Sequence, residues 1–155
     1  MLDWPIHELL PHAGEMILLD HVVAFDHESL KASVTIAAKG LFNQADGSLP
    51  AWVGIEIMAQ GIAAFAGCHA RQAGNPAPLG FLLGSRQYQC SHPAIPAGTP
   101  LGLEVKQSLR DDNGMGVFEC RLSNATYCLE ARLNVFQPPH IEQYLQEASP
   151  QGDPA

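Results

Sequence analysis

The run from Ala51 to Cys68, Ala-Trp-Val-Gly-Ile-Glu-Ile-Met-Ala-Gln-Gly-Ile-Ala-Ala-Phe-Ala-Gly-Cys, limits the fold more than any other part of the chain. Pro50 suits a first helical turn, and Gly74-Asn75-Pro76 supplies an αL-capable residue followed by a breaker, so the spacing predicts a helix over 50–72. At ~20 residues it would be ~30 Å long and apolar on almost every side. Such a helix is stable in water only when other structure wraps it. It is nearly long enough to cross a bilayer, but Glu56, Gln60 and three glycines argue for a buried helix in a soluble protein, and no membrane span is expected.

What would wrap it is strand-like. Residues 16–25 and 29–38 are rich in Val, Ile and Leu, and the second alternates Leu30, Ala32, Val34 and Ile36 against Lys31, Ser33 and Thr35. Four more such segments follow at 79–90, 101–109, 115–122 and 127–136, with a strong hairpin signal at Asp111-Asp112-Asn113-Gly114. A short helix over 4–10 and another over 140–148 flank the set, and 39–48 is a loop. The class is α+β: one domain over 1–148, with 149–155 as a frayed tail.

Composition closes off other functions. The formal charge is −8 and the basic residues are scattered, so nucleic acid is not an expected partner. Cys68, Cys90, Cys120 and Cys128 show no C-x-x-C pair and no His at zinc-ligand spacing, which reads as free thiols, with no metal. The chain opens without a basic start and apolar core, so the expected location is the cytoplasm.

Glu56 then needs a reason. An ionised side chain buried without partners costs several kcal/mol, so a carboxyl in an apolar helix is paired, held neutral, or used chemically. Desolvation raises a carboxyl pKa, which suits a general acid. Four-residue spacing aligns Glu56 with Gln60, and Ala63, Ala64 and Gly67 continue that face with small side chains, as a narrow cleft wall would. His12, between Pro11 and Gly14 before a core strand, is the best candidate base; the other histidines read as structural or solvated, and Trp52 and Phe65 as core. First-turn amides near Ala51 and Gly54 could bind a substrate oxygen.

The chain resembles the hot-dog-fold 3-hydroxyacyl-[acyl-carrier-protein] dehydratases, in which a curled antiparallel sheet wraps one long helix. The resemblance rests on Leu10-Pro11-His12 followed by 16–22, on Pro50, Glu56 and Ala59-Gln60, on Phe81-Leu82-Leu83-Gly84, on 96–101, and on the segments from Gly116 to Ala131. It implies Glu56 as the acidic catalytic residue, an acyl carrier protein as partner, no cofactor beyond the substrate's phosphopantetheine (or coenzyme A), and a dimer with sites at the subunit interface. In the usual members a catalytic His precedes the helix in Gly-His-Phe-Pro-Gly, whereas the loop here, 41–49, has none. Leu-Pro-His-Ala-Gly with Pro-Ala-Trp-Val-Gly-Ile-Glu is similar to a divergent branch linked to aryl polyene pigment assembly, where a hot-dog subunit can pair with a second, different one.

The expected activity is removal of water from 3-hydroxyacyl thioesters on a carrier protein, in fatty acid, aryl polyene or polyketide synthesis. Two alternatives stand beside it. A hot-dog thioesterase would use Glu56 to activate water, with Gln60 or Asn43 orienting it. A non-catalytic subunit would complete another hot-dog dehydratase, in a homodimer or heterodimer. Carrier proteins are acidic, so Arg71 and Arg86 are candidate docking residues, although each equally reads as a surface ion pair.

Overall fold

The computed structural model describes residues 3–12, 14–76, 78 and 80–138. The expected helix over 140–148 and the tail over 149–155 lie outside the described residues. Helix α1 spans Ile6–Leu9, followed by strands β1 (His21–Phe25), β2 (Ser29–Thr35) and β3 (Leu49–Pro50). A 3-10 turn at Ala51–Val53 leads into α2 (Gly54–Gln72), then β4 (Phe81–Cys90), β5 (Ala94–Ile95), β6 (Pro100–Arg110), β7 (Met115–Ser123) and β8 (Cys128–Phe136).

Six strands form one antiparallel sheet in the order β1-β2-β6-β7-β8-β4, and β3 pairs with β5 separately. Alternation fixes the inner face: Leu30, Ala32 and Val34 of β2, Leu101, Leu103 and Val105 of β6, Phe118, Cys120 and Leu122 of β7, and Leu129, Ala131 and Leu133 of β8 are all buried. The outer face alternates in charge across strands, with Glu104 opposite Arg121 and Arg121 opposite Glu130, and Arg132 reaching Glu119 at 2.8 Å.

Against the inner face lies α2, burying Ile57, Met58, Ile62, Phe65 and Cys68, each large side chain contributing roughly 1.5–3 kcal/mol. Glycines bring it close. A Cβ on Gly61 would stand 2.5 Å from Leu103 Cδ2, and one on Gly67 would overlap the Leu9 carbonyl oxygen. The span Ala51–Gln72 is long and apolar enough to cross a membrane, and 67% of its most apolar window is buried in the protein, as the wrapped-helix reading requires.

Two expectations change. The strand predicted over 16–25 begins only at His21: Gly14–Met16 is a 3-10 turn, and Met16 and Leu18 give their backbone groups to the Gln60 side chain instead of to a sheet ladder. Trp52, expected in the core, is 64% exposed on the opening turn of the helix, while Phe65 is buried as expected.

Candidate active site

The faces of α2 divide sharply. Gly54, Gly61 and Phe65 meet the sheet at Leu129, Leu103 and Phe118, Gln60 and Gly67 face the segment before β1, and Ala64 is buried as well. Glu56, Ala59, Ala63 and Ala66 are only half-buried and recur at helical spacing, as a strip the sheet leaves uncovered. The cleft wall expected from Glu56, Gln60, Ala63, Ala64 and Gly67 is therefore made of a different set: Ala59 and Ala66 belong to it, and Gln60, Ala64 and Gly67 do not.

A cavity of about 170 Å³ lies over that strip, floored by Glu56, Ala59, Ile62, Ala63 and Ala66. Pro11 and His12 wall one side; Pro78, Gly80, Leu82 and residues 135–137 wall the other. Mostly apolar lining with a few converging polar groups is the usual character of a small-molecule site. A larger hollow of about 380 Å³ sits on the sheet's outer face, where Lys106, Glu119, Arg121, Glu130 and Arg132 neutralise one another across strands and leave no acid or base poised for chemistry.

At the cavity's polar end, His12 Nε2 stands 3.4 Å from Glu56 Oε1. The same oxygen accepts a hydrogen bond of 3.2 Å from Gln60 Nε2. The Glu56 side chain is 34% exposed and that of His12 25%, so the carboxyl is not sealed in an apolar interior as the sequence implied. His12 Nδ1 is buried and has no hydrogen-bond partner among the described residues. When Nε2–H faces Glu56, Nδ1 is left as an unsatisfied acceptor, a costly arrangement unless something else fills it. Gln60 is fully buried and also donates to Met16 O at 2.5 Å while its Oε1 accepts from Leu18 N–H at 2.8 Å.

Other candidate residues are engaged elsewhere. The Ala51 N–H donates to Pro93 O, and the Gly54 N–H to the carbonyls of Ala51 and Trp52, so neither amide is free for a substrate oxygen. Asn43 is a loop clamp: its Oδ1 accepts from Gly40 N–H and its Nδ2 donates to Ala37 O and Gly47 O, and it does not line the cavity. Arg71 pairs with Glu8 at 3.1 Å and covers the Trp4 ring, whereas Arg86 is exposed on β4 opposite Arg132. Neither arginine lines the cavity.

Sequence reasoning missed Tyr88, whose hydroxyl donates to Ala51 O and fixes the start of the helix; burial, then Cys90 beside it, pushes its pKa up. It also missed the wall formed by Gly80 and Leu82, because no local signal places β4 beside β8 at the sheet's edge. All four cysteines are free thiols, and no cluster of three His, Cys, Asp or Glu side chains could hold a metal among the described residues. Burial raises the pKa of Cys68 to about 11 and of Cys120 to about 12.

The chain matches the family model of the ApeP-like proteins, described as ApeP dehydratase, over residues 4–146. A chain of the dehydratase heterocomplex ApeI:P from Xenorhabdus doucetiae superposes with TM-score 0.83 at 32% identity, covering 94% of this chain and 99% of that one. An uncharacterized protein from Pyrococcus horikoshii gives TM-score 0.61 at 10% identity, covering 86% and 93%, and a thioesterase from Haemophilus influenzae 0.52 at 13%, covering 75% and 76%. These two share the fold alone. No curated protein sequence matches. One long helix on an antiparallel sheet, a carboxyl–imidazole pair at a cavity, and a family match over nearly the whole length agree: the chain is a hot-dog protein and belongs to the ApeP-like dehydratase family.

Proposed function

We propose that this protein dehydrates 3-hydroxyacyl thioesters carried on the phosphopantetheine arm of an acyl carrier protein, working beside a second hot-dog subunit. The observation that carries the reading is the contact between Glu56 and His12 at the polar end of an otherwise apolar cavity. It supplies an acid and a base together although the loop before α2 lacks the family's usual histidine.

Elimination requires a base for the α-proton and an acid for the departing hydroxyl. His12, whose ring lines the cavity beside Glu56, takes the α-proton on its unprotonated ring nitrogen. The C–H electron pair becomes the new double bond as the C3–O bond breaks, and a proton on Glu56 Oε2 leaves with the hydroxyl as water. The imidazolium then passes its Nε2 proton to Glu56 Oε1, so that both groups end neutral. The C3–O electron pair departs with the hydroxyl oxygen and the elimination is redox-neutral overall, so it needs no redox cofactor. The cavity floored by Ala59, Ala63 and Ala66 would hold the acyl chain, and such a step fits fatty acid or aryl polyene synthesis.

Support for a partner subunit comes from the edge of the sheet. β4 is the terminal strand, Leu82 and Leu83 on it are 43% and 55% exposed, and the Xenorhabdus relative is itself part of a dehydratase heterocomplex. Arg86, exposed on the same strand, remains the carrier-protein docking candidate; Arg71, tied to Glu8, does not.

The test incubates the chain, alone and with a second hot-dog subunit, with hydroxyacyl and saturated acyl thioesters. Conjugated enoyl product from the hydroxyacyl substrate is expected. Free thiol from the saturated substrate without enoyl product would make the chain a thioesterase. Activity of the mixture that survives Glu56→Gln would make it a non-catalytic subunit.

A further inference from the structure

The segment bearing His12 is held on α2 at two points. Upstream, the Leu9 carbonyl rests on Gly67, where there is no Cβ to push it away. Downstream, Gln60 donates to Met16 O and accepts from Leu18 N–H, and the intervening 3-10 turn is closed by Ile17 N–H to Gly14 O at 3.1 Å. The two anchors are seven residues, or ~10.5 Å, apart on the helix. Glu56 is one turn before Gln60, and Gln60 Nε2 is shared between Met16 O and Glu56 Oε1.

One buried amide therefore grips both halves of the acid–base pair. Its Nε2 holds Glu56 Oε1 on the side that faces His12, which leaves Oε2 for a substrate; its Oε1 and Nε2 together fix the strand of backbone that presents His12. We infer that Gln60 is a positioning residue that sets the His12 imidazole in register with Glu56 and assigns separate tasks to the two carboxyl oxygens. The catalytic consequence rests on the proposed dehydration; the placement of the imidazole does not.

The test therefore has two readouts. In the full-length protein labelled with ¹⁵N at histidine, the Nε2–H resonance of His12, assigned by its loss in His12→Gln, is observed in wild type, Gln60→Met and Gln60→Glu. Met keeps the volume and removes all three bonds; Glu keeps an acceptor for Leu18 N–H and loses the shared donor, so it serves where Met prevents folding. Register set by Gln60 predicts that the resonance shifts or broadens into exchange in both folded variants. An unchanged resonance would overturn the inference.

The second readout is a double-mutant cycle on the hydroxyacyl thioester. Gln60→Glu should lower kcat roughly 10-fold or more with KM changed less than about two-fold, because misplacement by a fraction of an ångström is felt in the transition state. In the His12→Gln background the same substitution should cost less than about two-fold, since no imidazole remains to be positioned. Fully additive losses would mean that Gln60 acts on the fold alone. A shifted resonance in a protein that makes no enoyl product in any mixture would keep the positioning role and dismiss the dehydratase reading.

Discussion

Glu56→Gln separates chemistry from architecture, because the substitution preserves every contact the carboxyl makes on its inner side. Its amide oxygen can occupy the place of Oε1, which lies 3.4 Å from His12 Nε2 and accepts from Gln60 Nε2 at 3.2 Å. The reverse orientation would set its NH2 group against two donors. What disappears is the ionisable outer oxygen and the proton it delivers. The His12–Glu56 pair is a quarter to a third exposed, so its stabilising value falls in the solvent-screened range of about 0–1 kcal/mol. For a domain of this size that is a Tm change of no more than a few degrees. Turnover should fall by roughly 10²-fold or more, about 2.7 kcal/mol on the barrier, since a side-chain amide cannot deliver the proton. Differential scanning calorimetry and the rate of enoyl thioester formation, measured on one preparation, decide the matter. A folded variant with near-normal rate would refute the assignment of Glu56 as the acid; a Tm loss above ~8 °C would show that it is a structural anchor.

Gly67→Ala drives a methyl group into the Leu9 carbonyl and should destabilise the protein by roughly 1–3 kcal/mol, read from a urea melt. Ala63→Phe fills the middle of the cavity floor and should sharply lower kcat/KM on hydroxyacyl thioesters, most for the longest chains, while circular dichroism stays native. Cys68 and Cys120 should resist thiol reagents at pH 8 and react only on unfolding, whereas exposed Cys90 labels at once. Their folded pKa values, about 11 and 12, lie above the ordinary 9.0, so the unfolded chain sheds these protons first: the contribution to stability is intact below pH 9 and is lost as pH climbs from there through 11–12, seen as a falling Tm.

The helix was legible because so apolar a run must be wrapped by other structure, and β6, β7 and β8 were legible because inward and outward residues alternate over 100–106, 115–123 and 128–134. Glu56 and His12 were both visible, one as a charge in an apolar run and the other as a histidine in a turn-forming segment. Their meeting was not, since it depends on closing a loop between residues 44 positions apart, through bonds from Gln60 to backbone that carries no side-chain signature. Asn43 illustrates the converse error. A polar residue in a loop before the catalytic helix suggested a substrate contact, but its hydrogen-bonding groups are spent on the loop's own backbone. The cleft wall was misjudged because α2 has three environments, and periodicity alone cannot say which side the sheet takes.

The outermost strand has a further consequence for handling the protein. Ten residues without proline, carrying two exposed leucines on a margin unpaired among the described residues, would form a template for self-association if they were straight. The register breaks twice along it, between Leu82 and Gly84 and between Arg86 and Gln89, and Gln87 sits at φ 56°, in a region unfavourable for a residue with a side chain. Those irregularities spoil the match to any straight strand and admit only a margin shaped to fit them. Produced without such a counterpart, the chain leaves Leu82 and Leu83 in water, so co-expression should act on its yield before it acts on its rate.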